Sequence, residues 1–88
     1  MLKNYMEELV DTYLPTLIVN FDNVCKCEKC ILDIKAMALN NLKPLYLVSE
    51  KGELYSKNDQ LSVQYRVDVI NQLAQAIKLV SKNPRHAI

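Results

Sequence analysis

Glycine is nearly missing: the chain has one, Gly52, among 88 residues. Loops that cradle phosphate, and folds with many tight turns between strands, draw on glycine for left-handed backbone. Both are disfavoured. Neither sign of charge dominates, since 11 basic and 10 acidic residues leave a net charge of +1. A general nucleic-acid binder needs a phosphate-attracting field that this balance does not supply, so no binding to polymeric DNA or RNA is expected. No apolar run approaches the ~18 residues that span a bilayer. The opening Met1-Leu2-Lys3-Asn4-Tyr5 lacks the apolar core of a signal peptide, and acidic residues follow soon after. A cytoplasmic protein without membrane insertion is expected. Histidine occurs once, as His86. No Ser-His-Asp set or P-loop stands in a supporting context, and enzymatic activity is not expected.

What is present points to helices. Half of the residues are hydrophobic, enough to exclude disorder, and the length predicts a single domain over 1–88. Its core is thin, which favours a staple or a partner. Leu2, Tyr5, Met6, Leu9, Val10, Tyr13, Leu14, Leu17, Ile18 and Phe21 follow three-four spacing. Pro15 predicts a kink or the start of a second short helix, and Asp22-Asn23 a turn. A second helix is predicted over 28–42, with Ile31, Ile34, Met37, Ala38 and Leu42 inward. Lys43-Pro44 stops it. Leu45–Val48 and Glu53–Tyr55 are short candidates for a hairpin across Lys51-Gly52. A long last helix, opening at Ser56–Asp59 and closing at Asn83-Pro84, carries two apolar stripes. One is Val63, Val67, Ile70, Leu73, Ala74, Ile77 and Val80; the other is Leu61, Tyr65, Val69, Ala76 and Leu79. Such a helix, roughly 35–40 Å long, exceeds the width of so small a domain and predicts a homodimer.

The most concentrated chemistry lies between the first two helices. All three cysteines, Cys25, Cys27 and Cys30, fall within six residues as Cys-x-Cys-x-x-Cys. Cytoplasmic thiols stay reduced, and clustered ones there more often hold metal than pair. Zinc takes four ligands in a tetrahedron and suits thiolate and imidazole, so a structural zinc site is expected. His86, freed by Pro84, is the candidate fourth ligand. Water or a residue of a second chain are alternatives for that position. A redox role or inert thiols are alternatives for the whole cluster. A thiolate-rich zinc makes a poor Lewis acid, which argues against catalysis.

The knuckle is followed by Asp33-Ile34-Lys35-Ala36-Met37-Ala38-Leu39-Asn40-Asn41-Leu42-Lys43-Pro44-Leu45-Tyr46. Together these residues resemble the late competence protein ComFB family, and the resemblance covers essentially the whole chain. It implies a small all-α protein that dimerises, has no enzymatic activity, and binds zinc in members carrying the cysteines. In those members a further cysteine near the C-terminus completes the site; here Asn83-Pro84-Arg85-His86 offers histidine instead. The resemblance also implies a link to DNA uptake and to cyclic dinucleotides, cyclic di-GMP or cyclic di-AMP. A receptor for such a ligand needs planes for stacking, cations or N–H groups for phosphate, and acceptors for a purine edge. Asp33, Asn40, Tyr46 and Arg66 are the candidates for that contact, with Lys43, Tyr55, Tyr65 and Arg85 as further possibilities. The expected function is a regulatory zinc-binding receptor. The alternative is a structural or protein-interaction module of the competence machinery, with an unknown protein partner and no small ligand.

Overall fold

Asn4 organises the start of the chain. The computed structural model describes residues 2–47 and 59–82. Asn4 ends a two-residue strand β1 (Lys3–Asn4) and is the N-cap of helix α1 (Tyr5–Ile18). Its Oδ1 accepts the Met6 N–H at 3.2 Å, satisfying one of the donors a helix start leaves orphaned. The same oxygen accepts the Leu45 N–H at 3.0 Å, and the Tyr5 N–H donates to the Leu45 carbonyl at 2.6 Å. Leu45 leads into strand β2 (Tyr46–Leu47), which pairs antiparallel with β1, Lys3 opposite Leu47 and Asn4 opposite Tyr46. One side chain therefore caps a helix and clasps a distant segment. Asn4→Ala is expected to cost about 1–2 kcal/mol, because it removes the cap and strands the Leu45 donor. A urea titration would measure the shift.

Helix α1 runs unbroken through Pro15, so the predicted second short helix does not form. Proline removes one hydrogen bond, and burial of Leu14 and Ile18 on either side holds the helical phase. Leu2 lies outside the helix and is exposed, contrary to expectation. The turn predicted at Asp22-Asn23 is present, with Asn23 at φ 59°, a left-handed conformation that asparagine tolerates. Helix α2 (Glu28–Asn40) ends two residues earlier than predicted. Asn41 caps it, donating from its backbone to Ala38 and from its side chain to the Met37 carbonyl at 2.9 Å.

The hairpin is corrected in part. Tyr46–Leu47 is extended, but its partner is the N-terminal strand, while 53–55 lies outside the described residues. The opening Ser56 to Asn58 of the last helix lies outside them too. Helix α3 (Asp59–Lys82) then packs on both α1 and α2. Its buried residues are Val69, Leu73, Ala76, Ile77 and Val80, a face drawn from both predicted stripes. Val63, Val67 and Ile70 remain exposed. They lie roughly a quarter-turn round the helix from the buried face.

The core is a single cluster at the meeting of the three helices. Val10 and Leu14 of α1, Cys30, Ile34 and Ala38 of α2, and Val69, Leu73 and Ile77 of α3 are all fully or almost fully buried in it. Helices dominate the described residues and the fold is all-α, with one minimal two-stranded ladder. No helix among the described residues is long and apolar enough to cross a membrane.

Candidate metal centre

The three cysteines meet where α2 begins. Cys27 is the N-cap, with extended backbone (φ −69°, ψ 163°), and its sulfur accepts the Cys30 N–H at 3.4 Å. A cysteine thus does the work usually left to serine or aspartate. Cys30, in the first turn of α2, is fully buried under the helix junction. Cys25 precedes the helix and is half-buried. The three sulfurs lie within 4.8 Å of one another, and no disulfide joins them.

This arrangement fits a metal ion. Three thiolates at ~2.3 Å from a tetrahedral zinc would stand about 3.8 Å apart, so the observed spacing needs only a small closure. The environment also separates the thiols. The Cys30 N–H, and then the Cys25 thiol, lower the Cys27 pKa to about 7. Burial, and then the two neighbouring thiols, push Cys30 up to about 12. A divalent cation bound among the sulfurs would offset the penalty for ionising Cys30, since coordination deprotonates a thiol outright. Lys26 and Lys29, flanking Cys27 in sequence, add positive charge nearby. His86 lies outside the described residues.

The candidate ligand-contact residues divide. Asp33 and Asn40 share a cavity of about 550 Å³ between α2 and the C-terminal part of α3, lined also by Met37, Asn41, Leu79 and Val80. Asp33 Oδ1 holds the Lys29 ammonium at 2.6 Å. Its Oδ2 is buried and has no hydrogen-bond partner among the described residues. Buried acceptors are rarely left so. Tyr46, on β2, is 58% exposed and does not line that cavity; neither does Arg66, which is exposed on α3.

A second cavity, of about 450 Å³, lies beside the β2 approach and is lined by Lys43, Tyr65, Asp68, Asn71, Gln72 and Gln75, among others. Lys43 and Tyr65 are candidates on sequence grounds; the amides of α3 are an addition from the structure. Their signal was legible: Asp68, Asn71, Gln72 and Gln75 recur at three-four spacing and make a polar stripe along the helix. Tyr55 and Arg85 lie outside the described residues.

Three packed helices with a cluster of thiols between the first two define a small helical protein with a candidate cation site. A family model for the late competence development protein ComFB matches residues 3–84, and the chain belongs to that family. The competence protein ComFB of Bacillus subtilis (strain 168) is 30% identical over 79 residues, which cover 90% of this chain and 76% of that protein. A solved structure of the late competence protein ComFB from Bacillus subtilis matches with a TM-score of 0.74 at 27% identity, across 96% of this chain and 94% of the other. The resemblance read from the knuckle and the Asp33–Tyr46 segment is thus shown.

Proposed function

We propose that this ComFB-family chain is a cytoplasmic, non-enzymatic regulatory module, stapled by zinc and acting as a homodimeric receptor for a cyclic dinucleotide. The zinc ligands in this reading are Cys25, Cys27, Cys30 and His86. The family ties the module to competence.

The observation that carries the receptor reading is the cavity that Asp33 and Asn40 line together, with Asp33 also holding an oxygen, Oδ2, that has no hydrogen-bond partner among the described residues. A buried carboxylate oxygen calls for an N–H donor. The guanine edge offers two adjacent ones, and the amide of Asn40 can take a further polar contact. Lys43 and Tyr65, in the neighbouring cavity, supply a cation for phosphate and a ring for stacking. Tyr46 and Arg66 are exposed and available to a ligand that spans beyond either cavity.

Titration calorimetry with cyclic di-GMP and cyclic di-AMP tests this. Saturable heat is expected with at least one of them. Asp33→Asn is expected to weaken the binding about tenfold or more, the size of one hydrogen bond to a charged group. No heat with either ligand would turn the reading to the alternative, a protein-interaction module of the competence system.

The homodimer is supported by the uncovered strip on α3. Val63, Val67 and Ile70 are 46%, 45% and 37% exposed, in a four-three spacing that suits packing against another helix. Val67→Asp would place a charge in the middle of that strip. It is expected to convert the dimer to a monomer while leaving the helical circular-dichroism signal intact. Light scattering coupled to size exclusion reads the outcome directly.

A further inference from the structure

We propose that Cys27 is an oxidation site for peroxides, and that Cys30 resolves the product into an intrachain disulfide that breaks the metal-holding cluster. Two features of the knuckle carry this. The first is the contrast in access: Cys27 is exposed at the helix N-cap, whereas Cys30 is fully buried. The second is proximity. The Cys27 sulfur already touches the first turn through the Cys30 N–H at 3.4 Å, and the sulfurs lie within 4.8 Å of one another. An accessible sulfur backed by a sheltered one is the arrangement that lets an oxidised cysteine be captured before it is oxidised further.

The chemistry balances with hydrogen peroxide as oxidant. The Cys27 sulfur attacks one peroxide oxygen, the O–O bond breaks, and the departing hydroxide takes a proton to leave as water. Cys27 is then a sulfenic acid. The Cys30 sulfur attacks the Cys27 sulfur, the S–O bond breaks, and a second water leaves. Two thiols have together lost two protons and two electrons, and peroxide has gained them. A disulfide is not the anionic donor a zinc site requires. With Cys27 and Cys30 withdrawn, Cys25 is the last thiolate of the cluster and the ion is released. That final consequence rests on the metal reading above; the disulfide does not.

The role of Cys30 follows from its position. It is anchored in the first turn of α2 with its backbone N–H already directed at Cys27. Cys25 lies ahead of the helix.

The test treats the purified full chain, as isolated and after chelator stripping, with equimolar hydrogen peroxide. Alkylation then blocks the remaining thiols for peptide mapping by mass spectrometry, while a metal-sensitive dye follows release. The expected product has lost two hydrogens, links Cys27 to Cys30 and carries the alkyl group on Cys25. In metal-loaded protein, ion release is expected to keep pace with the mass change. Cys30→Ser is expected to let dimedone trap a sulfenic acid at Cys27. Because that change puts a hydroxyl in a fully buried position, the wild-type map is the deciding measurement.

First modification at Cys25 or Cys30, a linkage confined to pairs of chains, or no disulfide at all would overturn the oxidation site. A Cys27–Cys30 disulfide in protein isolated without metal would support the site and count only against the metal reading. Bound metal with no such disulfide would overturn the site and leave the metal reading in place.

Discussion

Replacing Cys27 with serine is expected to lower the melting temperature by more than any other change at an exposed position of this protein. The cap is kept, since serine is itself a good N-cap. The loss is the contribution to folding of the proposed metal, since a site assembled only in the native state stabilises that state by its binding free energy. A loss above about 3 kcal/mol is expected, and at roughly 4–8 °C per kcal/mol for a domain of this size the midpoint should fall by more than about 12 °C. Scanning calorimetry of the wild type with and without chelator provides the control. The chelator should produce most of the drop in the wild type and none in the variant.

Acidity should act in the same direction. Cys30 is held near 12 and Cys27 near 7 in the metal-free chain. Metal binding must displace protons from the thiols, Cys30 above all. Lower pH therefore favours the protonated, metal-free form, and the ion should be released more readily as the solution is acidified. A wild type whose melting ignores both chelator and acid, and matches Cys27→Ser, would remove the staple from the account.

The second large effect is expected from Ile34→Ala. Ile34 is fully buried, one turn beyond Cys30 and one turn before Ala38, and all three face the same junction. Truncation to alanine leaves a void and is expected to cost about 2–5 kcal/mol. The position makes a sharper prediction possible. Cys30 and Ile34 are successive members of one buried stripe, so loosening the packing under Ile34 also loosens the sulfur above it. The metal-dependent part of the stability should therefore shrink in Ile34→Ala. A double-mutant cycle with Cys27→Ser should show a coupling of about 0.5 kcal/mol or more, as for residues that share a packed neighbourhood. Strict additivity would mean that clamp and core are independent.

Much of the fold is legible in the sequence, and what is not has physical reasons. Helix α2 is legible because its apolar spacing and the Lys43-Pro44 stop agree; the Cys27 cap is seen only in the structure. The buried face of α3 is not legible, because its sequence offers two apolar stripes and periodicity does not say which one meets the other helices. Contact with α1 and α2 selects a face between them, centred on Leu73 and Ile77. The pairing of Tyr46–Leu47 was missed for a different reason. Its partner is a two-residue strand more than forty positions away, with no hydrophobic alternation to announce it. At the candidate site, the cysteines were legible from spacing alone. The split between the Asp33–Asn40 cavity and the Lys43–Tyr65 cavity was not, because it depends on how α3 lies across α2.

The Asn4 clasp has a consequence for how the protein is made. Its oxygen joins Met6 to Leu45, so the entry to α1 is completed only when Leu45, 41 positions beyond Asn4, has left the ribosome. Until then the first helix must wait with a frayed beginning, and closing that distant link sets an entropic toll on early folding. The nascent chain should therefore gain resistance to proteases only once Asp59–Lys82 has also emerged, because the core forms where all three helices meet.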